Sequence, residues 1–127
     1  MKRLNLSSAE FDRMVEAAVR RLPAEFRRHL KNLVITVEKR PSPGLLKEMG
    51  LPPDQPLLGL YQGVPLTERS AVDPPLYPDS IVLFQEPLES FCRDGGELEA
   101  EIEITLAHEI AHYLGIDEAR LEELGYA

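Results

Sequence analysis

The chain has 127 residues, 43% apolar and 28% charged, with 22 acids against 14 bases and a formal net charge of −8 at pH 7. One domain with its own core fits that length, and the acidic excess repels phosphate backbones, so nucleic acid is not an expected partner. No apolar run approaches a membrane span, MKRLNLSSAEFDR has no apolar leader core, and Cys92 is alone, so a cytoplasmic protein without a membrane partner is expected.

Ser7 opens the first element, with Glu10 placed to complete a capping box. Phe11, Met14, Val15, Ala18, Val19 and Leu22 then recur at helical spacing and predict a helix over 8–22. Pro23 starts a second, short helix through AEFRRHLKN. LVITVE (33–38) is β-branched and short, so a strand is expected. LLKEMG reads as one helical turn closed by Gly50, and LPPDQP as a loop. LLGLY (57–61) is a further strand, QGVPLTERS a hairpin or bend, and the proline-rich AVDPPLYPDS irregular. SIVLFQ (80–85) is the most strand-like run. Pro87 begins a short helix with Leu88, Phe91 and Cys92 on one face, ended by Gly95-Gly96. Residues 97–114 are helix-compatible, Gly115 is placed to stop them, and Asp117 can cap a last turn, EARLEELG. The order predicts a single α+β domain.

Residues 108–112 read His-Glu-Ile-Ala-His. On a helical wheel with His108 at the origin, His112 lies about 40° away, Glu101 about 20°, Thr105 about 60° and Glu109 about 100°. Leu106, Ile110, Leu114, Ala107, Ala111 and Ile104 fill the rest of the second half. The helix is therefore buried on most sides, with one polar seam. Two imidazoles one turn apart can converge on a zinc ion. The glutamate beside them can take a proton from a water whose pKa zinc lowers to about 7. A pair of core or surface histidines has the same spacing, so the motif remains a hypothesis.

Gly115 and Glu118 follow at seven and ten residues after His108. With LLGLYQGVPLTERS and SIVLFQEPLESFCRDG, this pattern resembles the small bacterial mini-zincins, single-domain metallopeptidases of about this length. The resemblance spans about residues 7–126. It implies a zincin-like fold over 1–127, with a small mixed sheet of three or four strands packed on helices that include the motif helix. It also implies one Zn²⁺ on His108 and His112, and Glu109 as general base. At the tenth position Glu118 stands where the aspartate-type zincins have Asp, with Asp117 just before it. Glu118 has the family offset and the longer arm and is taken as the third ligand, while Asp117 keeps the alternative role of helix cap. No methionine follows the motif, so a metzincin Met-turn is excluded. Only nine residues follow Glu118, so a shallow, open site is expected, with a partner or second copy available to complete the cleft.

Zincin sheets present an edge strand on which a peptide substrate adds, and SIVLFQ is the candidate, with an ordinary core strand as the alternative. Tyr126, Tyr113 and Arg69 are conceivable oxyanion donors, but none is assigned. His29 reads as surface and Cys92 as core. The expected function is zinc-dependent hydrolysis of peptide bonds in a peptide or protein segment. A zinc-dependent RNA-processing factor is a second reading. Some rRNA-maturation endonucleases share a similar histidine pair, but they lack the glutamate and use a third histidine at the tenth position. A non-catalytic metal-binding or interaction protein is a third.

Overall fold

The computed structural model describes residues 4–52, 56–63 and 79–126. Helix α1 runs Ser8–Arg21, α2 Ala24–Arg27, strand β1 Leu33–Glu38, α3 Pro43–Glu48, β2 Gly59–Gln62, β3 Asp79–Phe84, α4 Gln85–Phe91, α5 Gly95–Leu114 and α6 Glu118–Glu123. A 3₁₀ turn, Leu30–Asn32, leads into β1. The expected α+β architecture with a small mixed sheet is present. Most of QGVPLTERS and AVDPPLYPDS lies outside the described residues.

Local chemistry sets the helix ends. The Ser7 hydroxyl accepts from the Glu10 amide while the Glu10 carboxylate accepts from the Ser7 amide. That closes the capping box and satisfies two otherwise orphaned donors. At the other end of the chain, Gly115 takes φ 73°. The Ile116 amide reaches back to the Ala111 carbonyl at 2.9 Å and the Gly115 amide to that of His112 at 3.3 Å, a Schellman stop that needs a left-handed residue. Pro23 stands one position earlier than expected, as the N-cap of α2.

The sheet order is β1-β3-β2, with β1 parallel and β2 antiparallel to β3. SIVLFQ is therefore the central strand and not the edge. Ile81, Val82, Leu83 and Phe84 are all buried, as a strand covered on both faces requires. The edge beside the motif helix is β2. A second correction concerns Gly95-Gly96, which begin α5 instead of ending α4. The Asp94 carboxylate accepts the Glu97 amide at 2.9 Å, and that cap restarts the helix immediately. Phe91, expected on an apolar face of α4, is 59% exposed.

Helix α5 is the spine of the core. Leu98, Ile102, Leu106 and Ile110 are fully buried and meet Phe11, Ala18 and Phe26. Each such side chain contributes about 1.5–3 kcal/mol, and this packing fixes how α5 is rotated. The seam at 101, 105 and 108 faces β2, with His112 at its solvent end.

Candidate functional site

Gly59 sets the approach of β2 to α5. A Cβ there would lie 2.7 Å from Thr105 Cγ2 and 3.3 Å from the Val82 carbonyl oxygen. Only glycine allows the strand so close, one turn before the motif. The Leu58 carbonyl accepts from the Phe84 amide. In this antiparallel register residues 58, 60 and 62 turn their polar groups to β3, and Gly59 and Tyr61 turn theirs away. The Tyr61 amide is thereby directed at Glu109 and donates to its Oε1, at 2.9 Å.

Glu109 is thus held between strand and helix, its side chain only 14% exposed. The same oxygen lies 3.3 Å from Nδ1 of His112, whose side chain is 61% exposed. Behind the strand, Tyr61 donates its hydroxyl to the buried Asp79 carboxylate at 2.7 Å and stacks edge-on against Tyr113. These contacts fix β2 where Glu109 needs it.

His108 is half buried, and its Nε2 contacts the backbone carbonyl of Tyr126. A carbonyl can only accept, so this contact places a ring proton on Nε2, and in the neutral imidazole the lone pair is then on Nδ1. Tyr126 is fastened in turn: its hydroxyl donates to Glu103 at 2.7 Å, and Glu103 pairs with Arg21 at 3.2 Å. Burial, then the Glu103 carboxylate, raises the Tyr126 phenol well above its ordinary range, so it remains a donor. That hydroxyl is committed away from the motif and cannot serve as an oxyanion donor. The orienting carbonyl was invisible in the sequence, because every residue carries one.

Asp117 caps α6, accepting the Arg120 amide at 2.9 Å. Glu118 is the first residue of α6, exposed and, among the described residues, without a hydrogen-bond or ion-pair partner. His29 is half buried, its ring 6.2 Å from that of Tyr113, so it is a packing residue and not the solvated one expected. Arg69 lies outside the described residues.

Among the described residues no three His, Cys, Asp or Glu side chains form a group that could hold a metal ion. The structure places the histidines on successive turns of one seam with Glu109 between them, and does not bring Glu118 to them. Two imidazoles one turn apart suit zinc in kind and spacing; the third donor is not gathered.

Beside His108 and Glu109 opens a cavity of about 300 Å³, lined also by Leu57, Leu58, Gly59, Glu101, Ile104 and Thr105. Burial raises the Glu101 carboxyl above its ordinary range, and His108 partly opposes this. Glu101 was legible as a seam residue, but its cavity was not, because residues 57–59 come from elsewhere in the chain. No described helix is long and apolar enough to cross a membrane.

The chain is similar in structure to a conserved hypothetical protein of Thermus thermophilus, with a TM-score of 0.54 and 26% identity over 93% of this chain and 96% of the other. No curated protein matches it. The family model described as zincin-like metallopeptidase matches residues 30–126, a span that takes in β1, the edge strand, the whole of α5 and α6. By that match, the chain belongs to the zincin-like metallopeptidase family.

Proposed function

We propose that the chain is a zinc-dependent peptidase in which His108, His112 and Glu118 hold one Zn²⁺ and Glu109 is the general base. The observation that carries this reading is the Glu109 carboxylate, anchored through one oxygen to the Tyr61 amide at the lip of the cavity beside His108. Zinc, when bound, supplies Lewis-acid polarisation of the scissile carbonyl and acidifies a water. Glu109 takes the proton of the attacking water and returns it to the leaving amine. Its anchored oxygen fixes the direction of the carboxylate, and its second oxygen is left for that transfer. The His108 ring is oriented by the Tyr126 carbonyl, as ligating histidines are oriented by a partner on the other ring nitrogen. Glu118 is favoured as third ligand because Asp117 is already spent on its cap.

The substrate is a peptide or protein segment laid beside β2, the edge strand next to the motif helix. A partner chain or a second copy would wall the open site. The single cysteine supports the cytoplasm as its location. The test is elemental analysis for zinc together with mass-spectrometric mapping of cuts in a denatured protein pool, wild type against Glu109→Gln. One zinc per chain and cuts made only by the wild type support the reading. A zinc-loaded wild type that cuts nothing overturns it.

A further inference from the structure

The other acids along α5 are engaged. Glu97 pairs with Arg93, Glu99 and Glu103 with Arg21, and Glu109 with the Tyr61 amide. Glu101 differs. It is partly buried, it lines the cavity, and among the described residues no hydrogen-bond donor or ion-pair partner satisfies it. A half-buried carboxylate that opens onto a cavity and has no protein partner is free to accept a charge-assisted hydrogen bond from a cationic ligand. The remaining walls near it, Leu57, Leu58 and Ile104, are apolar. The pocket thus sets apolar walls beside the Glu101 carboxylate.

We propose that this cavity is a specificity subsite that admits an arginine or lysine side chain of the substrate, with its cation bonded to Glu101. The proposal rests on the peptidase reading and names its substrate class. At about 300 Å³ the cavity is at the lower limit of ligand pockets, roughly 300–1,000 Å³, a size for one side chain. Length selects between basic groups. Glu101 precedes His108 by seven residues, about 10 Å along the helix axis. A free α-amine lies roughly 2.5 Å from its own carbonyl carbon and does not span that distance. The long stem of arginine or lysine does once the hydrogen bond from its tip, about 2.8 Å, is added, with its methylenes against the leucines and its charge at the tip. The net charge of −8 favours encounter with cationic peptides.

The test uses zinc-loaded Glu109→Gln, so that binding is read without turnover. The probes are fluorescein-labelled Ala/Gly decapeptides bearing one Arg, Lys, norleucine or Glu, each with free and with acetylated N-termini. Arg and Lys peptides should bind at least tenfold tighter than norleucine in either N-terminal form. Adding Glu101→Gln should collapse that ratio toward one, and adding Glu101→Lys should turn the preference to the Glu peptide, with thermal melts confirming that each variant is folded. No basic preference, a preference that survives Glu101→Gln, or one confined to free N-termini would overturn the subsite. Binding is read separately from cleavage, so a wild type that cuts nothing removes the peptidase reading alone. A wild type that cuts proteins while the decapeptides show no basic preference removes the subsite alone.

Discussion

The Tyr61 amide donates to Glu109 Oε1 at 2.9 Å across 48 residues of sequence, so the candidate base and the edge strand β2 are one mechanical unit. Glu109→Gln keeps an acceptor for this amide but cannot take a proton. It should retain fold and zinc while hydrolysis falls by about 10²–10⁴. Glu109→Ala should in addition lose about 1–3 kcal/mol, because the Tyr61 amide loses its partner. Denaturant melts beside cleavage rates separate the two, and an equally active Glu109→Gln would refute the base.

Zinc should bind at one ion per chain and be lost on replacing either His108 or His112 with alanine, since each removes one of two imidazoles on a single seam. Elemental analysis after dialysis checks this. Full occupancy in the double variant would end the assignment.

The two carboxylates after the motif should separate cleanly. Glu118→Gln replaces an anionic ligand by a neutral amide and should weaken zinc affinity at least tenfold. Asp117→Ala should leave zinc in place and cost about 0.5–2 kcal/mol of stability through the lost cap on the Arg120 amide. Chelator competition on both variants reads the difference. The opposite pattern would move the ligand to Asp117.

Gly59→Ala puts a methyl 2.7 Å from Thr105 Cγ2. Strand and helix must separate, at a cost of about 1–3 kcal/mol. Hydrogen exchange at the Tyr61 amide should speed up in that variant. Unchanged exchange and stability would show that the close approach is not required.

Cys92 should be a poor nucleophile. Burial, then Glu101, Glu97 and Asp94, push its thiol from 9.0 up to about 11, which leaves on the order of 100-fold less thiolate at pH 8. Alkylation by iodoacetamide should therefore be slow in the folded protein and rapid in urea. The unfolded chain loses this proton first, so the thiol's contribution to stability is full below about pH 9 and declines as the pH rises toward 11. Cys92→Ala should flatten that alkaline decline in a thermal melt series.

The sequence by itself determined what depends on near neighbours. Ser7 with Glu10, Asp117 ahead of α6 and Gly115 at a left-handed stop set helix ends within a few residues of themselves. The 3.6-residue period likewise placed His108, His112, Glu109 and Glu101 along one seam of a buried helix. Only the tertiary structure decided which strand meets that seam. SIVLFQ reads as an edge candidate, yet it is central because β1 and β2 both pair with it, and pairing partners carry no signature in a strand's own residues. Gly95-Gly96 read as a stop because glycine's penalty is local, while the Asp94 cap and the burial of Leu98 and Ile102 behind it favour helix. The Tyr126 carbonyl on His108 and the Tyr61 amide on Glu109 are backbone groups, chemically the same at every position. Where the chain folds back is what selects them, and that is set by core packing far from the motif.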